Sequence, residues 1–133
     1  MAKLKKHILL LFSIIFSCLC ISCEEEEDFG FPSKIEMSGN GETIDIKGTN
    51  DLPPSIKQIE LLNYNGDGNN SGFITEDKDC IETTTDWLTV KYFSPEYKLV
   101  VTAAPNETNK TRKLYLYLYD GKSRQEITVV QSK

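Results

Sequence analysis

Beyond residue 32 the chain alternates apolar and polar side chains, and that period of two predicts strands. Residues 113–119 (KLYLYLY) are the clearest case. Leu114, Leu116 and Leu118 fall on one face, and Tyr115, Tyr117 and Tyr119 on the other. Residues 42–47 put Ile44 and Ile46 on one side. Residues 98–104 (KLVVTAA) read as a buried strand, and residues 126–131 (EITVVQ) as a closing one. Residues 33–38, 79–84 and 88–92 are further strand candidates. Residues 55–63 (SIKQIELLN) fit two patterns: the apolar spacing suits a helix and Pro53-Pro54 suits a helix start, while the surrounding strands favour a strand. Turn residues punctuate the series at Gly39-Asn40-Gly41, at residues 50–54 (NDLPP), at residues 65–72 (NGDGNNSG) and at Asp120-Gly121, a two-residue hairpin signal. Short strands at this spacing, with no convincing helix, predict an all-β sandwich or barrel.

The first 22 residues follow another pattern. Lys3, Lys5 and Lys6 precede an apolar run from Ile8 to Phe16. Even extended to Ile21, the run falls short of the ~20 apolar residues a spanning helix needs. A short apolar run behind a basic start reads as an export signal. Cys18, Cys20 and Cys23 are candidate lipid acceptors. A lipobox wants a small residue before its cysteine, so Leu19 argues against Cys20. Ser17 permits Cys18, but cleavage there would leave Leu19 and Ile21 in the tail. Ser22 permits Cys23, and polarity changes abruptly after it, so Cys23 is the expected site of the diacylglycerol and palmitate-type chains that join the protein to a membrane. Cys20 stands where lipoboxes prefer Leu.

The expected organisation is therefore a lipoprotein signal peptide at 1–22, a lipidated cysteine with an acidic tether at 23–31, and one β domain at 32–133. Glu24 to Glu27 and Asp28 repel one another, which keeps such a segment extended. The run also resembles the acidic export signal behind the lipid cysteine of Bacteroidetes surface lipoproteins. That resemblance implies a lipid-anchored position on the outer membrane, facing the exterior; a solvated tether on the periplasmic side is the alternative.

Charge narrows the partners. The chain has 15 basic and 20 acidic residues, a formal charge of −5. Three lysines belong to the signal, so twelve basic residues stand against twenty acidic ones afterwards, a formal −8. Such a balance disfavours nucleic acid, whose phosphates require a basic surface. It also disfavours electrostatic docking on anionic lipid. Of the four cysteines, only Cys80 lies beyond the signal and lipid site. One thiol cannot form an internal disulfide, so the fold depends on its core, and Cys80 reads as a buried small apolar residue.

Three marks in the C-terminal half, in order, carry a family resemblance. Asp86-Trp87-Leu88-Thr89-Val90 opens a strand, Asn106 and Arg112 bracket NETNKTR, and the chain closes on Ile127-Thr128-Val129-Val130-Gln131. Ser38-Gly39-Asn40-Gly41 adds an N-terminal turn. The set resembles the BACON domain (Bacteroidetes-associated carbohydrate-binding, often N-terminal) over residues 32–133, strongest from Trp87 onward. The resemblance implies an immunoglobulin-like β-sandwich of about 7 strands and a carbohydrate- or mucin-binding role beside glycan-degrading machinery. It leaves room for a structural or assembly subunit of a cell-surface complex, bound to other surface proteins with no small ligand. Residues 52–85 exceed the family's usual connection.

Several residues could carry chemistry. Tyr115, Tyr117 and Tyr119 would make an aromatic ladder ~13–14 Å long on the outer face. Rings in a row can stack on sugars while hydroxyls bond sugar hydroxyls; the competing reading is cross-strand packing. Trp87 is a second candidate platform, although a lone Trp in a sandwich more often packs in the core. Asn65, Asp67, Asn69, Ser71 and Glu76 fall at positions 1, 3, 5, 7 and 12 of a calcium loop. Asn70 stands where that loop wants glycine, and a plain exposed turn competes. Asn106-Glu107-Thr108 and Asn109-Lys110-Thr111 match a glycosylation sequon by coincidence in a bacterial chain; Asn106 reads as a turn start with Arg112 pairing locally. No catalytic set is expected: His7 leaves with the signal, so neither Ser-His nor Cys-His survives, and no cofactor is implied.

Overall fold

In the computed structural model the described residues are 25–63, 70, 75–77 and 79–133. They form ten strands: β1 (Glu25–Glu26), β2 (Lys34–Met37), β3 (Glu42–Lys47), β4 (Gln58–Leu62), β5 (Thr75–Asp77), β6 (Cys80–Thr84), β7 (Leu88–Phe93), β8 (Lys98–Ala103), β9 (Arg112–Tyr119) and β10 (Ser123–Gln131). All eight strands expected from the alternation are present, including the ambiguous one at residues 55–63. Its Gln58–Leu62 segment pairs antiparallel with β9 from Tyr119 to Tyr115. The two additional strands, β1 and β5, are two and three residues long.

The strands make two sheets packed as a sandwich. Sheet A runs β4-β9-β10, with β1 and β2 both pairing parallel on the free side of β10; sheet B runs β3-β8-β7-β6-β5. Leu114, Leu116 and Leu118 face inward with Ile127, Val129, Ile59 and Leu61. Leu88, Val90, Tyr92, Leu99 and Val101 meet them from sheet B. Each aliphatic side chain so buried contributes roughly 1.5–3 kcal/mol of transfer free energy. Residues 52–85 hold β4, which extends sheet A, and the β5–β6 hairpin, which extends sheet B.

The N-terminal boundary lies earlier than the sequence suggests. Residues 25–31 belong to the fold and are not a free tether. Glu25 and Glu26 pair with Ser123 and Arg124, and the Glu27 amide donates to the Arg124 carbonyl at 2.8 Å. Phe29 and Phe31 are core residues. Between β1 and β2 the chain leaves β10, and the Gln125 side chain fills the break. Its Oε1 accepts from the Phe29 amide at 2.9 Å, and its Nε2 donates to the Phe31 carbonyl at 2.7 Å. A break in a ladder would otherwise bury unpaired backbone groups. The Tyr97 hydroxyl donates to the Phe29 carbonyl, and Thr49 and Asn50 bond Gly30 and Asp28. These contacts stitch the segment to the loop after β3 and to the turn between β7 and β8.

Candidate functional site

The outer face of sheet A carries the three tyrosines on β9, as the alternation predicts. Register sets their neighbours. Tyr117 lies between Glu60 of β4 and Glu126 of β10, Tyr119 between Gln58 and Arg124, and Tyr115 between Leu62 and Thr128. The Tyr117 hydroxyl donates to Glu126 Oε2 at 3.2 Å, and the Tyr119 hydroxyl to Glu60 Oε2 at 3.0 Å. The two rings stand 6.3 Å apart, tilted by 31°. They are not a bare ladder. The Arg124 guanidinium lies 5.1 Å from the Tyr117 ring centre, and Tyr117 is only 4% exposed. Lys113 sits over Tyr115 at 5.2 Å. Tyr115 and Tyr119 remain half-buried. Burial, then the Glu60 hydrogen bond, pushes the Tyr119 phenol up from its usual pKa, against a lowering by Arg124.

Trp87 is a core side chain, 3% exposed, and offers no sugar platform. The Arg112 guanidinium stacks on its ring at 4.6 Å. Arg112 Nε donates to Gln131 Oε1 at 2.8 Å, and its Nη2 approaches the carbonyls of Ala104 and Pro105 at 3.4 and 3.3 Å. Gln131 is fully buried, and its Nε2 donates to the carbonyls of Ser38 and Ala104 at 3.0 and 2.6 Å. Asn106 Nδ2 reaches the Ser132 carbonyl at 3.0 Å. Gly39 sits so close to the C-terminal backbone that a Cβ there would lie 2.6 Å from the Ser132 carbonyl oxygen. The marks that stand apart in sequence thus meet at one end of the sandwich. They tie β2, the ends of β8 and β9, and β10 into one knot, with their hydrogen-bonding groups directed at each other. Arg112 pairs across the fold as well as locally.

At the opposite end, beside the β9–β10 hairpin, a cavity of about 520 Å³ opens between Lys57, Gln58, Glu60, Tyr119, Gly121, Lys122 and Ser123. The Lys57 amide donates to the Tyr119 carbonyl at 2.8 Å, which fixes the entry to β4. Asp120 Oδ1 accepts from the amides of Lys122 and Ser123 at 2.7 and 2.6 Å. Those bonds hold the Asp120 carboxyl below its usual pKa. Gly121 turns the hairpin at φ +95°, a region that favours glycine. Of the cavity's residues the sequence singled out only Tyr119 and, as part of the hairpin turn, Gly121. Lys57 and Lys122 carry no local signal, since they come to one cavity only through the β4–β9 pairing.

Other candidates stand as follows. Cys18, Cys20 and Cys23 lie outside the described residues, as do Asn65, Asp67, Asn69 and Ser71 of the calcium pattern. Glu76 is described through its backbone, paired opposite Ile81. Asn70 Oδ1 accepts from the Asn63 amide at 2.7 Å. Cys80, expected in the core, is half-buried on the outer side of β6, because Ile81 and Thr83 take the inward positions. Asn106 starts its turn as expected, accepting from the Thr108 amide at 3.1 Å.

Comparison with known proteins gives two findings. Residues 76–132 match the BACON family model, described as "Putative binding domain, N-terminal". A solved structure titled "NMR structure of the protein from Bacteroides thetaiotaomicron" is similar at 18% identity and a TM-score of 0.49, over 83% of this chain and 88% of that one. No curated protein matches the chain.

Proposed function

We propose, taking the BACON match at residues 76–132 as the premise, that this chain is a lipid-anchored outer-membrane protein. It faces the cell exterior, is held by lipid on Cys23, and binds carbohydrate such as mucin glycan. The family is one of binding domains, which fits a non-catalytic role. The observation that carries the reading is the outer face of sheet A. There Tyr115 and Tyr119 flank the covered Tyr117, and carboxylates orient the hydroxyls of Tyr117 and Tyr119. Partly exposed rings with fixed polar edges suit sugars, which present apolar ring faces and hydroxyl rims. Affinity electrophoresis in mucin-containing gels tests it. Tyr119→Ala is expected to lose most of the retardation seen with the unaltered protein. Equal mobility in gels with and without mucin, for both proteins, would sink the mucin reading.

The burial of Tyr117 favours a second reading: a structural or assembly subunit of a cell-surface complex, with the tyrosines serving cross-strand packing. On that reading glycan arrays stay blank, and the protein co-purifies with other surface proteins.

A further inference from the structure

We propose that the cavity at the β9–β10 hairpin is a subsite for an acidic sugar, with Lys57 and Lys122 as its carboxylate-binding cations. The inference rests on the glycan-binding reading above and names the class of sugar. Cations elsewhere on the described surface are mostly committed. Lys34 pairs with Glu36, Lys91 with Glu82, Lys98 with Asp45 and Glu96, and Arg124 with Glu26. Arg112 is consumed by the knot at the far end. Lys57 and Lys122 make no ion pair with a described carboxylate, yet both line one cavity. A chain of negative formal charge has here placed two lysines on the lining of one cavity.

The neighbouring carboxylates are engaged. Glu60 accepts the Tyr119 hydroxyl, and Asp120 accepts two backbone amides of the hairpin. The Lys57 amine lies across the turn, with Nζ 3.6 Å from where a Cβ on Gly121 would stand. Tyr119 lines the cavity, and Gln58, Glu60 and Ser123, which also line it, are residue types that offer donors and acceptors for sugar hydroxyls. The volume lies within the ~300–1,000 Å³ usual for small-ligand sites. A sugar seated beside Tyr119 would bring its carboxylate into the cavity that both lysines line, and charge-assisted hydrogen bonds are the strong ones.

Nuclear magnetic resonance titration of the full chain in nonionic detergent, with glucuronic acid and with glucose, provides the test. The two sugars differ in the carboxylate. Glucuronic acid is expected to shift the amides of Gly121 and Ser123 and to bind at least tenfold tighter than glucose, with affinity falling as salt rises. The Lys57→Gln/Lys122→Gln variant, altered at two exposed positions, is expected to lose that preference. Lys47→Gln, on β3 away from the cavity, is expected to keep it. Equal binding of both sugars, or an undiminished preference in the double variant, would overturn the acidic subsite and leave the glycan reading standing. Absence of any shift with either sugar overturns the subsite, and blank glycan arrays in addition would remove the reading beneath it.

Discussion

The two ends of the sandwich both carry polar side chains and use them in opposite ways. At one end Arg112, Gln131, Asn106 and the Ser38 turn spend their hydrogen bonds on each other and on backbone carbonyls, over the buried Trp87. At the other, Lys57 and Lys122 line a cavity and form no ion pair with a described carboxylate. A buried polar group must be satisfied internally, so the first end is fixed by its own chemistry. The second is open to chemistry from outside. The residues that mark the family belong to the closed end. They carry the likeness, and a likeness carried by such residues need not extend to a ligand.

The contrast can be broken hardest at Gln131. Replacing it with Leu leaves Arg112 Nε without its acceptor and removes donors from the Ser38 and Ala104 carbonyls. The expected cost is about 2–4 kcal/mol, or on the order of 10–20 °C in Tm. Urea unfolding measures it; a loss no larger than that of an exposed substitution would mean the knot is ornamental. Arg112→Lys keeps the charge but loses the planar stack on Trp87 and the directional Nε bond. A cost of about 1–2 kcal/mol is expected by the same measurement.

At the open end, mutation is expected to change binding and pH to change stability only slightly. The Asp120 carboxyl is held below its usual range by the Ser123 and Lys122 amides. Its folded pKa is depressed, so its stabilisation is present above the unfolded pKa and lost as pH falls through the folded one. The group is largely exposed, and solvent screening keeps the effect small. Acid titration followed at the Gly121 and Ser123 amides should give a midpoint below the ~3.9 of an ordinary Asp, and Asp120→Asn should abolish that step. A midpoint at the ordinary value would disconnect the carboxyl from the turn.

Much of the framework was legible from local alternation. Leu114, Leu116 and Leu118 face the core because a strand's period is two, and Asp120-Gly121 turns the hairpin as such a pair should. The closed end was legible as a set of marks but not as a place, because Ser38, Trp87, Arg112 and Gln131 meet only when four strands align. The burial of Tyr117 was hidden for a related reason. Alternation assigns a side chain to a face, while Arg124, on the neighbouring strand, decides whether that face is covered. The cavity depended on the pairing of β4 with β9, across some sixty residues of sequence. Strand β1 gave no apolar signal at all. A run of glutamates reads as solvated chain, and its pairing with β10 is made by backbone groups together with one ion pair to Arg124.

That pairing gives the molecule a top and a bottom. Strand β1 runs parallel to β10, so the chain before Glu25 emerges beside Ser123, at the hairpin. On the anchoring proposed above, Glu24 alone separates the lipid on Cys23 from the paired Glu25, at most about 7 Å of fully extended chain. A protein anchored so closely has little freedom to tumble. On the proposed anchoring, the hairpin would face the bilayer, with the knot of Trp87, Arg112 and Gln131 at the far end. The cavity of Lys57 and Lys122 would sit near the foot, within reach of sugars that lie along the membrane.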